Sequence, residues 1–391
     1  MTVRDIGARR WVILALGVFA QAAQAVLVNG AAFLIPTLHE DWGLTLAQAG
    51  TLSAAPLFGV VFSLVAWGAL ADRYGERRVL AVGLALAAAA AAAAAASGTA
   101  PMLALMLALG GAAAASANAA SGRVVVGWFP PQQRGLAMGI RQMSLPLGVA
   151  VAALAIPPLA RDHGIGSALA FAAAVCAVAA VACAIGIVDP PRPERARAAE
   201  LGLLDNPYRA GRSLQRIHAA SVLLVVPQYV VWTYALVWLI SERGWTESAA
   251  GLVITAAQFL GALGRVAAGG WSDRVGGSRL RPLRLVALSV VLSMAALAAA
   301  SLTDSAVAVA LLIVASVTTV APNGLAFTAV AEIAGPFWGG RALGIQNTGQ
   351  FVAAACVGPA FGGLIALAGF PAAFALAALI PAAAVPLVPR K

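Results

Sequence analysis

Residues 68–78 read Gly68-Ala69-Leu70-Ala71-Asp72-Arg73-Tyr74-Gly75-Glu76-Arg77-Arg78, and residues 269–279 read Gly269-Gly270-Trp271-Ser272-Asp273-Arg274-Val275-Gly276-Gly277-Ser278-Arg279. Both stretches have the pattern G-x-x-x-D-R-x-G, and each comes at the end of a long apolar run. The two aspartates lie 201 positions apart in a chain of 391 residues. The simplest origin of such a pair is a chain made of two copies of one apolar unit.

The composition places the chain in a lipid bilayer. Hydrophobic residues make up 61% of the sequence and charged residues 10%, which leaves too little polar surface to cover a soluble protein of this size. Apolar runs of about 20 residues, long enough to cross the hydrocarbon core, recur along the chain, and only helices satisfy their own backbone there. The sequence therefore predicts an all-α membrane protein with twelve transmembrane helices, at 11–35, 47–70, 79–97, 101–127, 135–160, 165–188, 217–240, 247–270, 282–302, 305–330, 341–368 and 370–388.

A single long polar segment divides these helices into two sets of six. It begins Asp189-Pro190-Pro191-Arg192-Pro193 and contains charges of both signs. The sequence predicts an N-terminal six-helix bundle over 1–188, a cytoplasmic linker over 189–216 and a C-terminal six-helix bundle over 217–391.

The net charge of +10 follows membrane sidedness, with no single basic patch of the kind that binds nucleic acid. With the N-terminus inside, the outer loops contain two arginines, Arg161 and Arg243, and six acids, Glu40, Asp41, Asp162, Glu242, Glu247 and Asp304. Most other basic residues fall in inner loops, including the C-terminal Arg390-Lys391. The positive-inside rule therefore predicts a multi-pass protein of the bacterial inner membrane with both termini cytoplasmic. Several arginines are interpreted as solvated loop residues: Arg77, Arg78, Arg279, Arg281 and Arg284.

No cofactor, metal or catalytic motif is predicted. The three cysteines, Cys176, Cys183 and Cys356, all lie in apolar runs, where a thiol behaves as a small hydrophobic group. We therefore expect a protein that is not an enzyme, that is monomeric and that has the lipid bilayer as its surroundings.

The duplicated motif resembles the loop between the second and third helices of the major facilitator superfamily, whose two six-helix halves are parallel repeats. The general resemblance covers the whole chain and implies two pseudo-symmetric bundles around a central site. A second repeat supports it, since Arg134-Gly135-Leu136-Ala137-Met138-Gly139-Ile140 corresponds to Arg341-Ala342-Leu343-Gly344-Ile345 with an offset of 205 to 207. These segments begin predicted helices 5 and 11.

The resemblance also implies a gate. In the superfamily the motif aspartate approaches the N-terminus of a helix in the opposite half, where the helix dipole favours a carboxylate. By pseudo-symmetry we expect Asp72 near Gly340-Arg341 and Asp273 near Arg134-Gly135, in two latches that favour an outward-open state. The predicted gating residues are Asp72, Arg73, Asp273, Arg274, Arg134 and Arg341.

Three arginines fall inside predicted helices, where a charge is costly and points to function. Arg265 lies about two turns before Asp273, and Arg141 about two turns into predicted helix 5. Arg123 lies closer to the inner interface, which its guanidinium can reach by extending along the helix. No acid lies deep in a predicted helix, and Glu332 is the nearest candidate partner for Arg265. Cations without acids predict an anionic ligand, because arginine holds a carboxylate in bidentate fashion.

Two short sequence patterns resemble particular families within the superfamily. The pattern G-R-x-x-x-G-x-x-S-D-R at 264–274 is similar to helix 8 of the oxalate/formate antiporter and monocarboxylate transporter families, which implies that Arg265 contacts a substrate carboxylate. Those families add a lysine, whereas this chain has none before Lys391, so Arg141 is the closest second cation. The phrase at 141–148 resembles helix 5 of cyanate-transporter-like and nitrate-porter-like members, but Leu64 stands where the repeat would place the second arginine of a nitrate porter.

Neutral hydrogen-bonding groups are expected around the cations. The predicted substrate-binding set, in addition to Arg265 and Arg141, is Gln24, Asn29, Gln142, Gln228, Tyr229, Gln258, Gln346, Asn347 and Gln350. Interhelical packing is the competing interpretation for each amide. Trp232 is expected to line the cavity, and Trp238 to belong to the aromatic belt at the outer interface.

The sequence therefore predicts a secondary active transporter of a small organic anion, most simply a carboxylate. Two coupling modes remain open: symport with a proton and exchange with another anion. A drug or siderophore efflux transporter is an alternative that would have a broad apolar cavity. A sensor built on a transporter fold is another, and it would change conformation without moving its ligand.

Overall fold

The computed structural model describes residues 3–276, 278–303 and 307–390, with side chains from residue 7 onward. Gly277 of the second motif copy, Asp304 of the predicted outer loops and the C-terminal Lys391 lie outside the described residues. Within the described part every regular element is a helix. The α-helices are α1 Val3–Gly30, α2 Ile35–Glu40, α3 Leu46–Tyr74, α4 Glu76–Ala95, α5 Ala100–Trp128, α6 Arg134–Arg141, α7 Ser144–Gly186, α8 Arg195–Glu200, α9 Ser213–Ser241, α10 Glu247–Val275, α11 Leu280–Leu302, α12 Val307–Val320, α13 Pro322–Ala334 and α14 Gly339–Ala384.

The prediction of twelve membrane-crossing helices is confirmed once two glycine breaks are taken into account. Ten helical stretches of the described chain are long and apolar enough to cross a bilayer. Two of them contain a glycine at positive φ, Gly164 in α7 and Gly369 in α14. A straight helix of the 43 residues of α7 would be about 65 Å long, twice the hydrocarbon thickness of about 30 Å. The chain therefore turns at each glycine, and α7 and α14 each supply two spans.

Several helices continue beyond their predicted ends. Predicted helix 2 ends at 70, but α3 continues to Tyr74, and predicted helix 8 ends at 270, whereas α10 continues to Val275. In both cases the motif aspartate lies in this additional turn. The turn stays helical because its polar side chains find partners, and each helix ends only at the following glycine, Gly75 or Gly276.

The starts of α3 and α10 show that the duplication extends to backbone capping. The Thr45 hydroxyl accepts a hydrogen bond from the Gln48 amide at 3.2 Å. Thr246, 201 positions later, accepts one from the Ala249 amide at 3.3 Å. Each threonine thereby satisfies one of the free N–H groups of a helix N-terminus. Both helices then run for 29 residues.

The chain forms two compact units, and each contains pieces of both sequence halves. Unit 1 comprises Met1–Phe129, Met143–Asp205 and Ala334–Thr348. In it α3 packs along α5, α1 along α7, and α4 against both α5 and α7. The segment that begins α14 thus belongs with helices of the first sequence half. The predicted division at 189–216 is a division of the sequence and stays a prediction.

Unit 2 comprises Pro130–Gln142, Asn206–Ile333 and Gly349–Lys391. In it α10 packs against α6 and α12, and α12 also contacts α9 and α11. Its core includes an edge-to-face pair of Trp238 and Phe374, with ring centres 5.7 Å apart. Trp238 is only 1% exposed, so its assignment to an interfacial aromatic belt was wrong.

Candidate functional site

The aspartate at the end of α3 binds the first turn of α14, within unit 1. Asp72 accepts hydrogen bonds from the backbone N–H groups of Gly340 at 2.8 Å and Arg341 at 3.0 Å. Free N–H groups and the positive end of the helix dipole make this a favourable place for a carboxylate. The predicted contact of Asp72 with Gly340-Arg341 is therefore present in the structure. We call this contact latch 1.

A closed network of charges surrounds latch 1. Arg123 of α5 binds Asp72 at 2.6 Å and Glu76 at 2.9 Å, and Arg192 binds Glu76 at 2.8 Å. The side chains of Arg123, Asp72 and Glu76 are 5%, 1% and 0% exposed. The sequence predicted that the Arg123 guanidinium would reach the membrane interface. Instead it stays buried, because the carboxylates of Asp72 and Glu76 neutralise its charge inside the protein. No role was predicted from the sequence for Glu76, which is the first residue of α4.

The predicted linker starts by fastening the turn between α3 and α4. The Asp189 carboxylate accepts a hydrogen bond from the Arg77 amide at 2.8 Å, at the N-terminus of α4. Arg192 donates to the backbone carbonyl of Asp72 at 2.9 Å, at the C-terminus of α3. An acid thus caps a helix start and a cation a helix end, which is the favourable polarity for both dipoles.

The aspartate at the end of α10 makes the corresponding contact within unit 2. Asp273 accepts hydrogen bonds from the backbone N–H groups of Gly135 at 2.9 Å and Leu136 at 2.8 Å, in the first turn of α6. The predicted neighbourhood of Asp273 and Gly135 is thus confirmed, and we call it latch 2. Arg279 binds Asp273 at 2.6 Å and also donates to the carbonyl of Pro131. Arg279 is buried, so its interpretation as a solvated loop residue was wrong.

Glu332 belongs to the surroundings of latch 2 and has no ion pair with Arg265. Its carboxylate lies 3.3 Å from Arg134 and 3.7 Å from Arg279. A cavity of about 320 Å³ opens beside these groups, and Glu332 and Arg134 are 24% and 23% exposed. Latch 2 therefore lies next to water-accessible space.

Two of the predicted gating residues take no part in either latch. Arg73 is exposed and its guanidinium lies over the ring of Tyr74, 5.2 Å from the ring centre. Arg274 is exposed as well. Their positions beside the motif aspartates do not bring them to the helix starts that the aspartates bind.

Arg265 lies in α10, eight residues before Asp273, and is 4% exposed. One of its terminal nitrogens donates to the backbone carbonyl of Gln142 at 2.7 Å. Its Nε–H is buried and has no hydrogen-bond partner among the described residues. No ion pair joins Arg265 to an acid in the described part of the chain. A buried guanidinium in this state is expensive.

The second intramembrane cation, Arg141, closes the last turn of α6. It is 1% exposed, donates to the Gln142 side-chain oxygen at 2.9 Å, and lies 5.7 Å from the ring centre of Phe327. Gln142 therefore contacts both cations: its side chain accepts from Arg141 and its backbone carbonyl from Arg265. The structure brings these three predicted residues together within unit 2.

Close packing of backbones fixes the cations in place. A Cβ atom built on Gly139 of α6 would lie 2.7 Å from the carbonyl oxygen of Arg265, too close for any side chain. Small residues let helices in membranes approach in this way. In unit 1, Gly344 makes the equivalent approach, and its Cβ would lie 2.7 Å from the carbonyl oxygen of Leu64.

Aromatic rings lie beside the guanidinium groups. The ring centre of Trp232 is 5.9 Å from Cζ of Arg265, and Tyr229 lies 5.4 Å from Trp232 in a tilted arrangement. Faces of aromatic rings attract cations and stack against flat apolar groups. The indole N–H of Trp232 is buried and has no partner among the described residues.

The predicted amides divide between the two units. In unit 2, Asn323 donates to Gln228 at 2.8 Å and accepts from Gln350 at 3.2 Å; Asn323 was missed because a single asparagine in predicted helix 10 carried no pattern. Of the other predicted amides, Gln258 belongs to unit 2, and Gln24, Asn29, Gln346 and Asn347 belong to unit 1. Asn29 and Asn347 donate to the carbonyls of Ala25 and Leu343, one turn earlier in their own helices.

Comparison with known proteins places this geometry in a family context. The family model described as Major Facilitator Superfamily matches residues 13–357. An uncharacterized MFS-type transporter of Mycobacterium tuberculosis is 52% identical over 384 residues, which cover 98% of this chain and 85% of that protein. The 4-hydroxybenzoate transporter of Pseudomonas aeruginosa is 43% identical over 54 residues, 14% of this chain and 12% of that protein. Among solved structures, the proton:xylose symporter XylE aligns with a TM-score of 0.77 at 16% identity, covering 97% of this chain and 95% of its own.

Proposed function

Because the chain belongs to the Major Facilitator Superfamily, and is thus a transporter and not an enzyme, we propose that it moves a small organic anion by alternating access. The proposed anion is a carboxylate, and the site that binds it is formed by Arg265, Arg141 and Gln142. The proposed location is the bacterial inner membrane, with both termini cytoplasmic. A monomer is sufficient for this activity.

The unpartnered Nε–H of Arg265 is the observation that carries this proposal. In the described structure the guanidinium is buried, lacks an acidic partner and keeps one donor free. A bound carboxylate would supply both the missing charge and the missing acceptor, in the bidentate geometry that arginine favours. The name of the partial relative, a 4-hydroxybenzoate transporter, refers to a carboxylate and agrees with this class of substrate.

We propose that the two latches hold the cytoplasmic side closed while the site faces outward. The latches lie at the ends of α3 and α10 next to the basic loops, which the positive-inside rule assigns to the cytoplasm. Release of Asp72 from α14 and of Asp273 from α6 would then accompany opening to the inside. A substrate that stabilises one of these states shifts the population toward it.

Exchange is the coupling mode that the charges favour. An empty site containing Arg265 is cationic, and a bound anion neutralises it, so the loaded carrier should pass through its occluded state more readily than the empty one. Preloaded unlabelled substrate should therefore accelerate the entry of labelled substrate into proteoliposomes. Uptake that requires an imposed proton gradient, without such acceleration, would indicate proton symport, and Glu332 would be the first residue to substitute.

The direct test starts with ligand identification. Purified protein is screened by thermal shift against mono- and dicarboxylates, nitrate-like anions and lipophilic cations, since a ligand that binds the folded state stabilises it by mass action. The best ligand is then used in proteoliposome uptake with Arg265→Lys, which keeps the charge and loses the planar fork. Arg281→Lys is the matched control, because Arg281 is exposed at the start of α11.

We expect Arg265→Lys to lower uptake at least about tenfold, which corresponds to the loss of one charge-assisted hydrogen bond. Arg281→Lys should transport at the wild-type rate. Wild-type uptake by Arg265→Lys would show that Arg265 does not bind the anion. Stabilisation by lipophilic cations alone would favour the efflux alternative, and ligand binding without any uptake would favour a sensor.

A further inference from the structure

We infer that Trp232 is a specificity-determining residue, and that its indole N–H donates a hydrogen bond to the same carboxylate that Arg265 binds. The inference rests on the proposed function and deepens it, since it also assigns the substrate a flat, apolar body.

Two buried donors without acceptors lie side by side in unit 2. The Nε–H of Arg265 and the indole N–H of Trp232 both lack a partner among the described residues, and the Arg265 guanidinium carbon is 5.9 Å from the Trp232 ring centre. Each of these donors has lost its hydrogen bonds to water without gaining an acceptor in the protein, which destabilises the fold. Such groups are rare in folded proteins and call for an explanation at the position where they occur.

One carboxylate can satisfy both donors. Its two oxygens are acceptors only and offer about four lone-pair sites. Both oxygens can therefore pair with the guanidinium edge of Arg265 while one of them also accepts from the indole. A neutral amide offers only one acceptor oxygen and places its own N–H₂ where the second acceptor is needed. The pair of donors therefore selects an ionised carboxylate over an uncharged analogue of the same shape.

The rings beside the two donors select the body of the substrate. Trp232 and Tyr229 form a tilted aromatic pair with centres 5.4 Å apart, on the same helix as each other. A flat ring attached to the carboxylate can stack on such faces, whereas a puckered ring of equal carbon number cannot do so over its whole area. The structure thus favours an aryl carboxylate over an alicyclic one.

The experiment uses the full-length protein with benzoate, cyclohexanecarboxylate and benzamide as probes, and measures affinity and melting temperature. Trp232→Phe removes the N–H and keeps an aromatic ring. Trp232→His keeps a ring N–H, and Trp232→Leu is the donor-free substitute if the phenylalanine variant does not fold. Trp67→Phe is the matched control, because the Trp67 indole donates to the Ala112 carbonyl at 2.6 Å within unit 1.

We expect wild type to bind benzoate more tightly than the other two probes, and Trp232→Phe to bind benzoate about tenfold more weakly. Trp232→His should stay within about threefold of wild type, since a donor remains. Without ligand, Trp232→Phe should melt no lower than wild type because its lost donor was unsatisfied, whereas Trp67→Phe should melt lower and bind benzoate normally.

The failures of the two proposals are distinguishable. If wild type binds no carboxylate, or binds benzamide as well as benzoate, the proposed function itself is wrong. If benzoate binds and Arg265→Lys weakens it while Trp232→Phe does not, only the role of Trp232 is overturned. Equal affinity for benzoate and cyclohexanecarboxylate would overturn the aryl assignment.

Discussion

Latch 1 and latch 2 have the same backbone geometry and different charged surroundings. In each, one aspartate accepts from two consecutive N–H groups at a helix start, at 2.8–3.0 Å. The charged residue at the start of the following helix has the opposite sign in the two latches. It is Glu76 in unit 1 and Arg279 in unit 2. Arg123 of α5 then completes the first network, and Glu332 of α13 is part of the second. The two repeats thus share the contact between an aspartate and a helix start. The charged side chains around it differ, and in each latch acids and arginines pair with each other.

Two turns farther from the motif aspartates, the two units also differ in the charge of one buried residue. The backbone approaches of Gly344 to Leu64 and of Gly139 to Arg265 are alike, but one position is apolar and the other is charged. A cation is tolerated where a ligand can neutralise it and excluded where the surroundings are only packed side chains. The comparison teaches that the repeat supplies a symmetric scaffold, and that the two units differ at this position by one buried charge, the charge to which we assign the proposed anion site.

The largest effect should come from exchanging these two residues. Leu64→Arg introduces a guanidinium at a position that is 0% exposed, and an uncompensated buried charge costs several kcal/mol. We expect almost no monodisperse protein from this variant, whereas Arg265→Leu should fold and fail to bind the anion. Leu46→Arg, at a position 63% exposed on the same helix, is the control, and normal folding of Leu64→Arg would contradict the proposed asymmetry.

The next largest effect should separate the two latches. Asp72→Asn leaves Arg123 and Arg192 with Glu76 alone in a sealed network, and breaking a buried pair costs about 3–5 kcal/mol. Asp273→Asn leaves Arg279 near Glu332 and the adjacent cavity, so water can replace part of the lost interaction. The melting temperature of Asp72→Asn should therefore be the lower of the two.

Distance measurements show whether the latches also gate. Spin labels at Arg78 and Pro336 report on latch 1, and labels at Gln132 and Val275 on latch 2, with the exposed Cys356 replaced by serine. Each aspartate substitution should broaden its own distance distribution toward longer values, most of all in the double variant. Distributions identical to wild type in the double variant would exclude a gating role.

A smaller and equal effect is expected from the glycines that the two units share. Gly139→Ala and Gly344→Ala each place a Cβ 2.7 Å from a carbonyl oxygen, and such overpacking costs about 1–3 kcal/mol. The losses of stability in the two variants should agree within error. Gly324→Ala, whose Cβ would come no closer than 3.8 Å to another atom, should be tolerated. Clearly unequal losses would show that the two approaches are not equivalent.

The smallest effect should come from the exposed part of latch 2. Glu332→Gln removes ion pairs of 3.3 and 3.7 Å at a side chain that is 24% exposed, and such pairs contribute about 0–1 kcal/mol. The melting temperature of Glu332→Gln should lie within a few degrees of that of the wild type. It should also depend less on salt concentration, because salt screens the ion pairs of Glu332 in the wild type. A large destabilisation would place Glu332 among the buried charges.

The sequence predicted the features that repeat or that follow from hydrophobicity. Twelve spans could be predicted because run length is a local signal, and both aspartate contacts were predicted because the duplicated motif resembles that of a superfamily in which such contacts are expected. The partners of Arg123 and Arg279 could not, since ion pairs between distant helices depend on packing that no spacing records. Asn323 was missed for the same reason, as it joins Gln228 and Gln350 only in three dimensions.

The single-glycine turns in α7 and α14 have a consequence for biogenesis. Gly164 and Gly369 are the only non-helical residues between the two spans of α7 and of α14. Because no loop connects the spans, we expect the first span not to insert into the bilayer before the second. Each pair must enter as one hairpin, tip first. The tip in α7 carries Arg161 and Asp162, which neutralise each other at 2.8 Å, and the residues around Gly369 are apolar. Both tips can therefore be carried across the membrane without moving a net charge.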